Sequence, residues 1–399
     1  MSKFLKLWVA FLSVALLAGT LHGAQADTSP PLRALILSGG PDLAHNQIAI
    51  ESNVRYLDRL LLKNASRRVL FTDGRAQSKN VLYEDASGKQ QYRKPALPRL
   101  DGANTLPAIK AEFQALAVSP STAPVLIYVT GHGSPGDDSS NNDFDLWNGG
   151  ELSVRRLAGQ LKTLPASVPA TVVMVQCFSG SFGNLLFENG DSKAPLISRD
   201  LCGFFASTAE RPAAGCTPEI NEAEYRDFTG YFFGALSGKS RRGQAVTGAD
   251  YNHDGKIGMD EAFAYTLIHD DSIDTPVCTS DVFLRRFVPW QGYDFVETRW
   301  ADLRSWATAP QRAALEALSA DLHLRGEDRL QSAFSQFKET QVDAEDLPSV
   351  HLIRFIRLSK TVVLAHKLTA SEAPADQPIK ERYTRLKALE AKNPLSPGI

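Results

Sequence analysis

Thr171-Val172-Val173-Met174-Val175-Gln176-Cys177-Phe178-Ser179-Gly180-Ser181-Phe182-Gly183 is a run of apolar and β-branched residues that ends abruptly in small ones. Thr171 to Val175 read as a strand buried on both faces, the ordinary condition of a central parallel strand. The run stops at Gln176-Cys177 and the turn Ser179-Gly180-Ser181 follows at once. The thiol is therefore expected at the carboxyl edge of an open sheet, where α/β proteins hold ligands and chemistry. A lone buried cysteine is ordinarily a small hydrophobe. A base at the same edge would make it more than that.

Such a base lies upstream. Pro124-Val-Leu-Ile-Tyr-Val-Thr130 is a second apolar strand, ending in Gly131-His132-Gly133-Ser134-Pro135-Gly136. Between the two strands, Val154, Leu157, Leu161 and Leu164 recur at helical spacing, with Arg155, Arg156 and Lys162 on the other face. Strand, helix, strand is a βαβ crossover, whose strands run parallel and end at one edge. His132 and Cys177 are thus expected together as a cysteine–histidine dyad, the imidazole activating the thiol and protonating a leaving group. Backbone N–H groups of Gly133 and Cys177 are the expected donors to a substrate oxyanion.

Ile127-Tyr-Val-Thr-Gly-His-Gly-Ser134 resembles the His-Gly strand end of caspases, metacaspases and legumains, and Val175-Gln-Cys-Phe-Ser-Gly-Ser181 resembles their nucleophile turn, Cys-x-Ser-Gly-Ser being closest to legumains. The resemblance follows the order of elements over roughly residues 32 to 270. It implies a caspase-like α/β fold, a mostly parallel sheet flanked by helices, and cysteine peptidase activity. It further implies that the end of the strand Gly203 to Ala209 borders the pocket for the residue before the scissile bond, with Ser207, Thr208 and Glu210 as substrate contacts. Ser207 and Thr208 also read as plain strand residues and Glu210 as a surface charge. Gly131 precedes His132 as in metacaspases, where legumains carry Asp, and Gln176 abuts Cys177 where relatives carry a small residue, so subfamily and substrate preference stay open.

Lys3 and Lys6, the apolar run Leu7 to Ala18 and Ala24-Gln25-Ala26 read as a secretory signal peptide over residues 1–26. The mature chain is expected outside the cytoplasm, secreted or periplasmic. A net charge of −2 favours neither nucleic acid nor an anionic membrane, and no later run is long enough to span a bilayer. With Cys177 as nucleophile, Cys202, Cys216 and Cys278 remain; in an oxidising compartment two of the three are expected to pair, Cys202 and Cys216 being nearest in sequence.

Leu32 to Leu37 read as the first strand, ending in Ser38-Gly39-Gly40, and Arg68 to Phe71 as a second. The next thirty or so residues read as a long loop punctuated by Pro95, Pro98 and Pro107. Asp137 to Asp143 read as a solvated loop, and the aromatic stripe of Asp227 to Leu236 as core. Asp250-Tyr-Asn-His-Asp-Gly-Lys-Ile-Gly-Met-Asp-Glu261 fits the EF-hand pattern D-x-[DN]-x-[DN]-G-x₅-E at each fixed position. Asp250, Asn252, Asp254 and Glu261 would offer side-chain oxygens to Ca²⁺ and Lys256 its carbonyl.

Residues 27–298, with the calcium loop 250–261, are expected to form the peptidase domain, and 299–399 a helical region. Its apolar stripes (Leu315, Leu318, Leu322; Leu330, Phe334, Phe337; Leu352, Phe355, Ile356) are separated by Pro310, Gly326 and Pro348, and its end, from Ala373, reads as frayed. Two placements are open for this region, over the active-site edge as an inhibitory cover or on the far side as a structural extension. The functional expectation is a calcium-stabilised cysteine endopeptidase acting on protein or peptide. A catalytically silent caspase-like binding module and a transpeptidase using the same dyad are the alternatives.

Overall fold

The computed structural model describes residues 31–291, 294–339 and 346–396, so the leader read at 1–26 lies outside the described residues. The chain forms β1 (Arg33–Ser38), α1 (Ile48–Leu60), β2 (Ser66–Phe71), a hairpin of β3 (Val81–Glu84) and β4 (Gln90–Arg93), α2 (Leu106–Val118) and β5 (Val125–Thr130). A small antiparallel sheet follows, β6 (Gly133–Ser134), β7 (Asp143–Leu146) and β8 (Gly150–Ser153). Next come α3 (Val154–Thr163), β9 (Ala170–Met174), β10 (Leu201–Phe205), α4 (Phe228–Ser237), α5 (Met259–His269), β11 (Val277–Cys278) and α6 (Thr279–Phe287). The C-terminal region is helical, with α7 (Trp300–Trp306), α8 (Ala309–Asp321), α9 (Arg329–Glu339), α10 (Leu347–Ala370) and α11 (Gln377–Glu390).

The main sheet has the order β2-β1-β5-β9-β10-β11. Its pairs are parallel except the last, β10 with β11. Val125 to Val129 are at most 1% exposed, as a central strand covered on both faces requires. From β1 the chain steps to β2 in one direction, and from β5 through β9 to β10 in the other. Right-handed crossovers then place α1 opposite α2 and α3; α1 packs with α4, and α2 with α3. The reversal between β1 and β5 is a topological switch point, and its carboxyl edge holds His132. The aromatic stripe is core as expected, with Phe228 and Phe232 stacked 5.0 Å apart.

Four readings change. The loop before α2 contains the β3–β4 hairpin, turned through Asp85 and the left-handed Gly88, where Asp85 N–H meets the Lys89 carbonyl at 3.0 Å; the prolines that suggested a loop lie beyond it. Asp143 opens β7, whose outward residues alternate with buried Phe144 and Leu146. Pro310 and Pro348 do not separate helices but sit in the first turns of α8 and α10, where a missing N–H costs nothing. The stretch after Ala373 forms α11, whose Tyr383 and Leu386 enter the main core.

The four thiols are unpaired. Cys202 lies beside Thr171 Oγ1 at 3.7 Å, Cys278 beside Ser280 Oγ at 3.2 Å, and Cys216 donates to the Gly131 carbonyl at 3.5 Å. Cys202 sits near the start of β10 and Cys216 past its carboxyl end, so the strand itself, rising ~3.3 Å per residue, holds them apart. No helix among the described residues is long and apolar enough to cross a membrane.

Candidate active site

The β5–β9 register ends at Val129↔Met174, and Val175 N–H continues the ladder to the Val129 carbonyl at 3.0 Å. His132 and Cys177 follow these strand ends, two residues past Thr130 and three past Met174. The two strand ends touch through Gly133, where a Cβ would lie 2.5 Å from the Cys177 carbonyl oxygen. Only glycine permits this approach. Directly after the thiol, Phe178 is held in the left-handed region (φ 59). Its N–H reaches the Arg211 carbonyl at 2.9 Å, and Asn142 Nδ2 donates to its carbonyl at 3.2 Å. A non-glycine residue kept in that conformation by bonds on both sides marks a constrained turn directly after Cys177.

The Cys177 sulfur receives the Ala213 N–H at 3.3 Å. Burial pushes its pKa up, the Ala213 N–H opposes that, and the nearby Asp274 adds to it. His132 is driven the other way, down to about 4, by burial and then by the neighbouring His45; the His45 carbonyl and Asp42 partly offset this. The His45 ring stands edge-on to His132, centroids 5.5 Å apart, and Asp42 holds its Nδ1 at 2.8 Å. Thiol and imidazole are therefore both neutral near pH 7. Among the described residues no hydrogen bond joins them.

His132 Nε2 meets Gln47 Oε1 at 2.9 Å. Gln47 occupies the N-cap position of α1 in the connection that follows β1, so Cys177, His132 and Gln47 come from the segments that follow the adjacent strands β9, β5 and β1. Sequence reading missed Gln47, since an isolated glutamine carries no motif; only the topological argument, extended to β1, would have pointed to the segment after Gly40. With its amide oxygen accepting, the Nε2 tautomer of the neutral ring is favoured and Nδ1 carries the lone pair. Gln47→Ala removes a bond worth about 1–1.5 kcal/mol, so kcat/KM should fall about tenfold. Gln47→Glu should instead stabilise the imidazolium and move the acid limb of the pH–kcat/KM profile upward from about pH 4. An unmoved profile would show that Gln47 does not govern the imidazole.

The N–H groups of Gly133 and Cys177, expected to be oxyanion donors, are left outside the backbone ladders. Asp145 N–H bonds to the His132 carbonyl at 3.0 Å, which makes Gly133↔Phe144 the non-hydrogen-bonded pair and leaves the Gly133 N–H outside the ladder. Among the described residues the Cys177 N–H donates to no backbone carbonyl. Gln176 is 1% exposed, and both polar atoms of its amide lack partners. A buried donor and acceptor thus sit beside Gly133 and the nucleophile.

Ser207 is buried, and its hydroxyl donates to the Arg211 and Pro212 carbonyls at 3.0 and 2.8 Å, closing the turn that carries Ala213 to the thiol. Thr208 is buried, with its N–H 3.4 Å from Thr275 Oγ1. Glu210 is exposed at the rim. Ser207 and Thr208 therefore lie in the wall beside the thiol, while Glu210 is exposed near Arg357.

In the loop 250–261, His253 and Gly255 take left-handed conformations (φ 61 and 80). Asp250 accepts the Asp254 and Gly255 N–H groups at 3.2 and 3.0 Å, and Asn252 Oδ1 accepts that of Asp254 at 2.8 Å. Glu261, 2% exposed, accepts N–H groups of Tyr251, Asn252 and Gly258. The expected side-chain donors thus line one tight turn leading into α5, although α4 ends at Ser237 and no helix directly precedes the loop. No group of three or more His, Cys, Asp or Glu side chains among the described residues is gathered closely enough to hold a metal ion. The three carboxylates of the motif, Asp250, Asp254 and Glu261, are therefore not gathered around one point here; each is turned to backbone N–H groups of the loop.

No family model matches the chain, and no curated protein does. Among solved structures, protein GSU0716 from Geobacter sulfurreducens is similar at a TM-score of 0.36 and 14% identity, over 62% of this chain and 92% of that one.

Proposed function

We propose that the chain is a cysteine endopeptidase with a caspase-like sheet, exported from the cytoplasm, using Cys177 and His132. One observation supports the reading: the segments after the neighbouring parallel strands β5 and β9, which carry His132 and Cys177, meet where Gly133 packs against the Cys177 carbonyl. Because both groups start neutral, Cys177 Sγ attacks the carbonyl carbon as His132 takes the thiol proton. The Gly133 and Cys177 N–H groups receive the oxyanion. His132 then passes the proton to the leaving nitrogen as the C–N bond breaks, leaving a thioester. Finally it accepts a proton from water, whose oxygen displaces the thiolate. Hydrolysis of a fluorogenic peptide pool by the native protein and not by Cys177→Ala is the test.

The second reading, a silent binding module, is favoured by the ground-state contacts, since His132 is bonded to Gln47 and the thiol to Ala213 rather than to each other. Absence of turnover, with no covalent labelling of Cys177 by a peptidyl electrophile, would select it.

Calcium enters the proposal through the loop 250–261. Asp250, Asn252, Asp254 and Glu261, with the Lys256 carbonyl, supply hard oxygen donors, and the left-handed Gly255 allows the sharp turn. Calcium should stabilise the fold by about 2.7 kcal/mol at a hundredfold excess over Kd, read as a rise of several degrees in Tm over chelator. Equal melting temperatures in calcium and chelator, unchanged in Asp250→Ala, would remove the site.

A further inference from the structure

The turn that presents Cys177 also borders a cleft of about 270 Å³. Gly180, Ser181 and the segment Thr208 to Glu210 line one side, and Arg285 of α6 and Arg357 of α10 the other. A neighbouring cavity of about 350 Å³ shares Thr208, Glu210 and Arg357 with it. Arg357 therefore stands where the two openings meet.

Charge in this place is unbalanced. Arg285 lies 2.9 Å from Asp281 Oδ1 and donates to Thr361 Oγ1 and the Arg357 carbonyl, both at 3.1 Å. Arg357 reaches Asp281 through one nitrogen at 3.5 Å, and its Nε is buried without a partner. One turn further along α10, Lys360 stacks its ammonium over the Trp290 ring. Burial, helped by Arg285, pushes the Arg357 guanidinium down to about 10, and burial with both arginines pushes Lys360 down to about 8. Three cations face the carboxylates of Asp281, which Thr361 also binds, and of Glu210, which is exposed at the rim. The planar Arg357 guanidinium, on a side chain 31% exposed and held to Asp281 by one long bond, lines a partly closed cleft and is suited to a carboxylate.

The cleft is connected to the nucleophile by one short segment. Ala213 N–H lies on the Cys177 sulfur, the Arg211 carbonyl takes the Phe178 N–H, and Glu210 forms the cleft rim. At most about 3.5 Å per residue separates successive positions, so Glu210 lies within roughly 11 Å of Ala213. That is the reach of about three residues of extended peptide.

We propose that this cleft binds an acidic side chain of the peptide substrate, a few residues from the scissile bond, with Arg357 as the principal contact and Arg285 beside it. The consequence for turnover rests on the peptidase reading; the binding itself does not. Glu210 competes with the substrate carboxylate from the rim, so removing its charge should tighten binding.

The test separates binding from catalysis. In Cys177→Ala protein, a fluorescein-labelled hexapeptide carrying Glu residues should bind at least about tenfold more tightly than its Gln counterpart, a difference of about 1.4 kcal/mol. Arg357→Gln should erase the difference, and Glu210→Gln, at an exposed position that keeps the test open if Arg357→Gln fails to fold, should increase it severalfold. In the native enzyme the Glu peptide should show the lower KM, again dependent on Arg357. Glu and Gln peptides bound equally, with neither variant changing the ratio, would overturn the assignment. Inorganic phosphate displacing the labelled peptide as well as unlabelled peptide does would overturn it in favour of a free-anion site. Acidic preference in binding with no hydrolysis would instead leave the cleft standing and remove the peptidase.

Discussion

Replacing Cys177 by alanine is expected to lower peptide hydrolysis by about 10⁴-fold or more, since members of a nucleophile–base unit fail together. Folding should be nearly unaffected. The sulfur sits at a strand end, partly exposed, with one backbone N–H donating to it, so its loss opens no closed cavity. The change in stability should stay within about 1 kcal/mol, measured by chemical denaturation. His132→Ala should match it in activity, and the double variant should be no worse than either alone. The control lies among the other thiols. Cys202 and Cys278 are buried against β9 and Ser280, and Cys216 faces the Gly131 carbonyl, with burial raising each pKa. Cys202 and Cys278 are not placed to substitute for it, whereas Cys216 lies close to Cys177, so a Cys177→Ala/Cys216→Ser double variant completes the control. Full activity in Cys177→Ala would end the dyad reading outright.

The shared edge of β5 and β9 was legible because two apolar runs, each ending in small residues, specify parallel strands, and parallel strands share an edge. The register itself was not legible, since strands buried on both faces carry no alternation to fix it; it is seen only in the pairing Val129↔Met174. Gln47 was not legible. It comes to His132 through the packing of a segment with no periodicity, and its role is visible only as a distance. The β3–β4 hairpin was hidden by nearby prolines, and α11 by its charge. Lys387 and Glu390 looked like solvent-facing residues, but they pair with each other at 3.0 Å, and the Glu390 carboxylate is buried against α6. The expected disulfide failed for a related reason. Proximity in sequence does not survive a strand lying between two cysteines.

A chain ending at residue 299 is expected to yield no cooperatively folded protein, rather than a soluble enzyme released from a cover. Helix α10 inserts Arg354, fully buried, into the segment before β11. There it donates to the carbonyls of Asp270 at 2.5 Å, Asp274 at 2.8 Å and Ser272 at 3.2 Å, while the Asp270 carboxylate lies 3.9 Å away. Asp274 in turn accepts the Ala214 N–H at 2.6 Å, one residue from the amide that touches the Cys177 sulfur. The end of the chain is equally committed. Glu390 accepts the Ser280 N–H at 2.7 Å, Asn393 Nδ2 donates to the Leu236 and Ile257 carbonyls at 2.8 and 3.0 Å, and the Lys392 carbonyl takes the Met259 N–H at 3.0 Å. Ile257 and Met259 belong to the loop proposed for calcium and the helix that leaves it, so truncation should weaken any calcium response as well. Arg354→Met isolates one part of this. It strands three carbonyls and a buried carboxylate, and should cost about 3–5 kcal/mol, read as a lower Tm and faster proteolysis between α5 and β11. The same helix does line the cavity at Thr208 and Arg211 through Ile353, Ile356 and Arg357, so it borders the active-site edge while bracing it. A soluble truncated chain with a sharp unfolding transition and faster peptide hydrolysis would reverse this conclusion and make the region a cover.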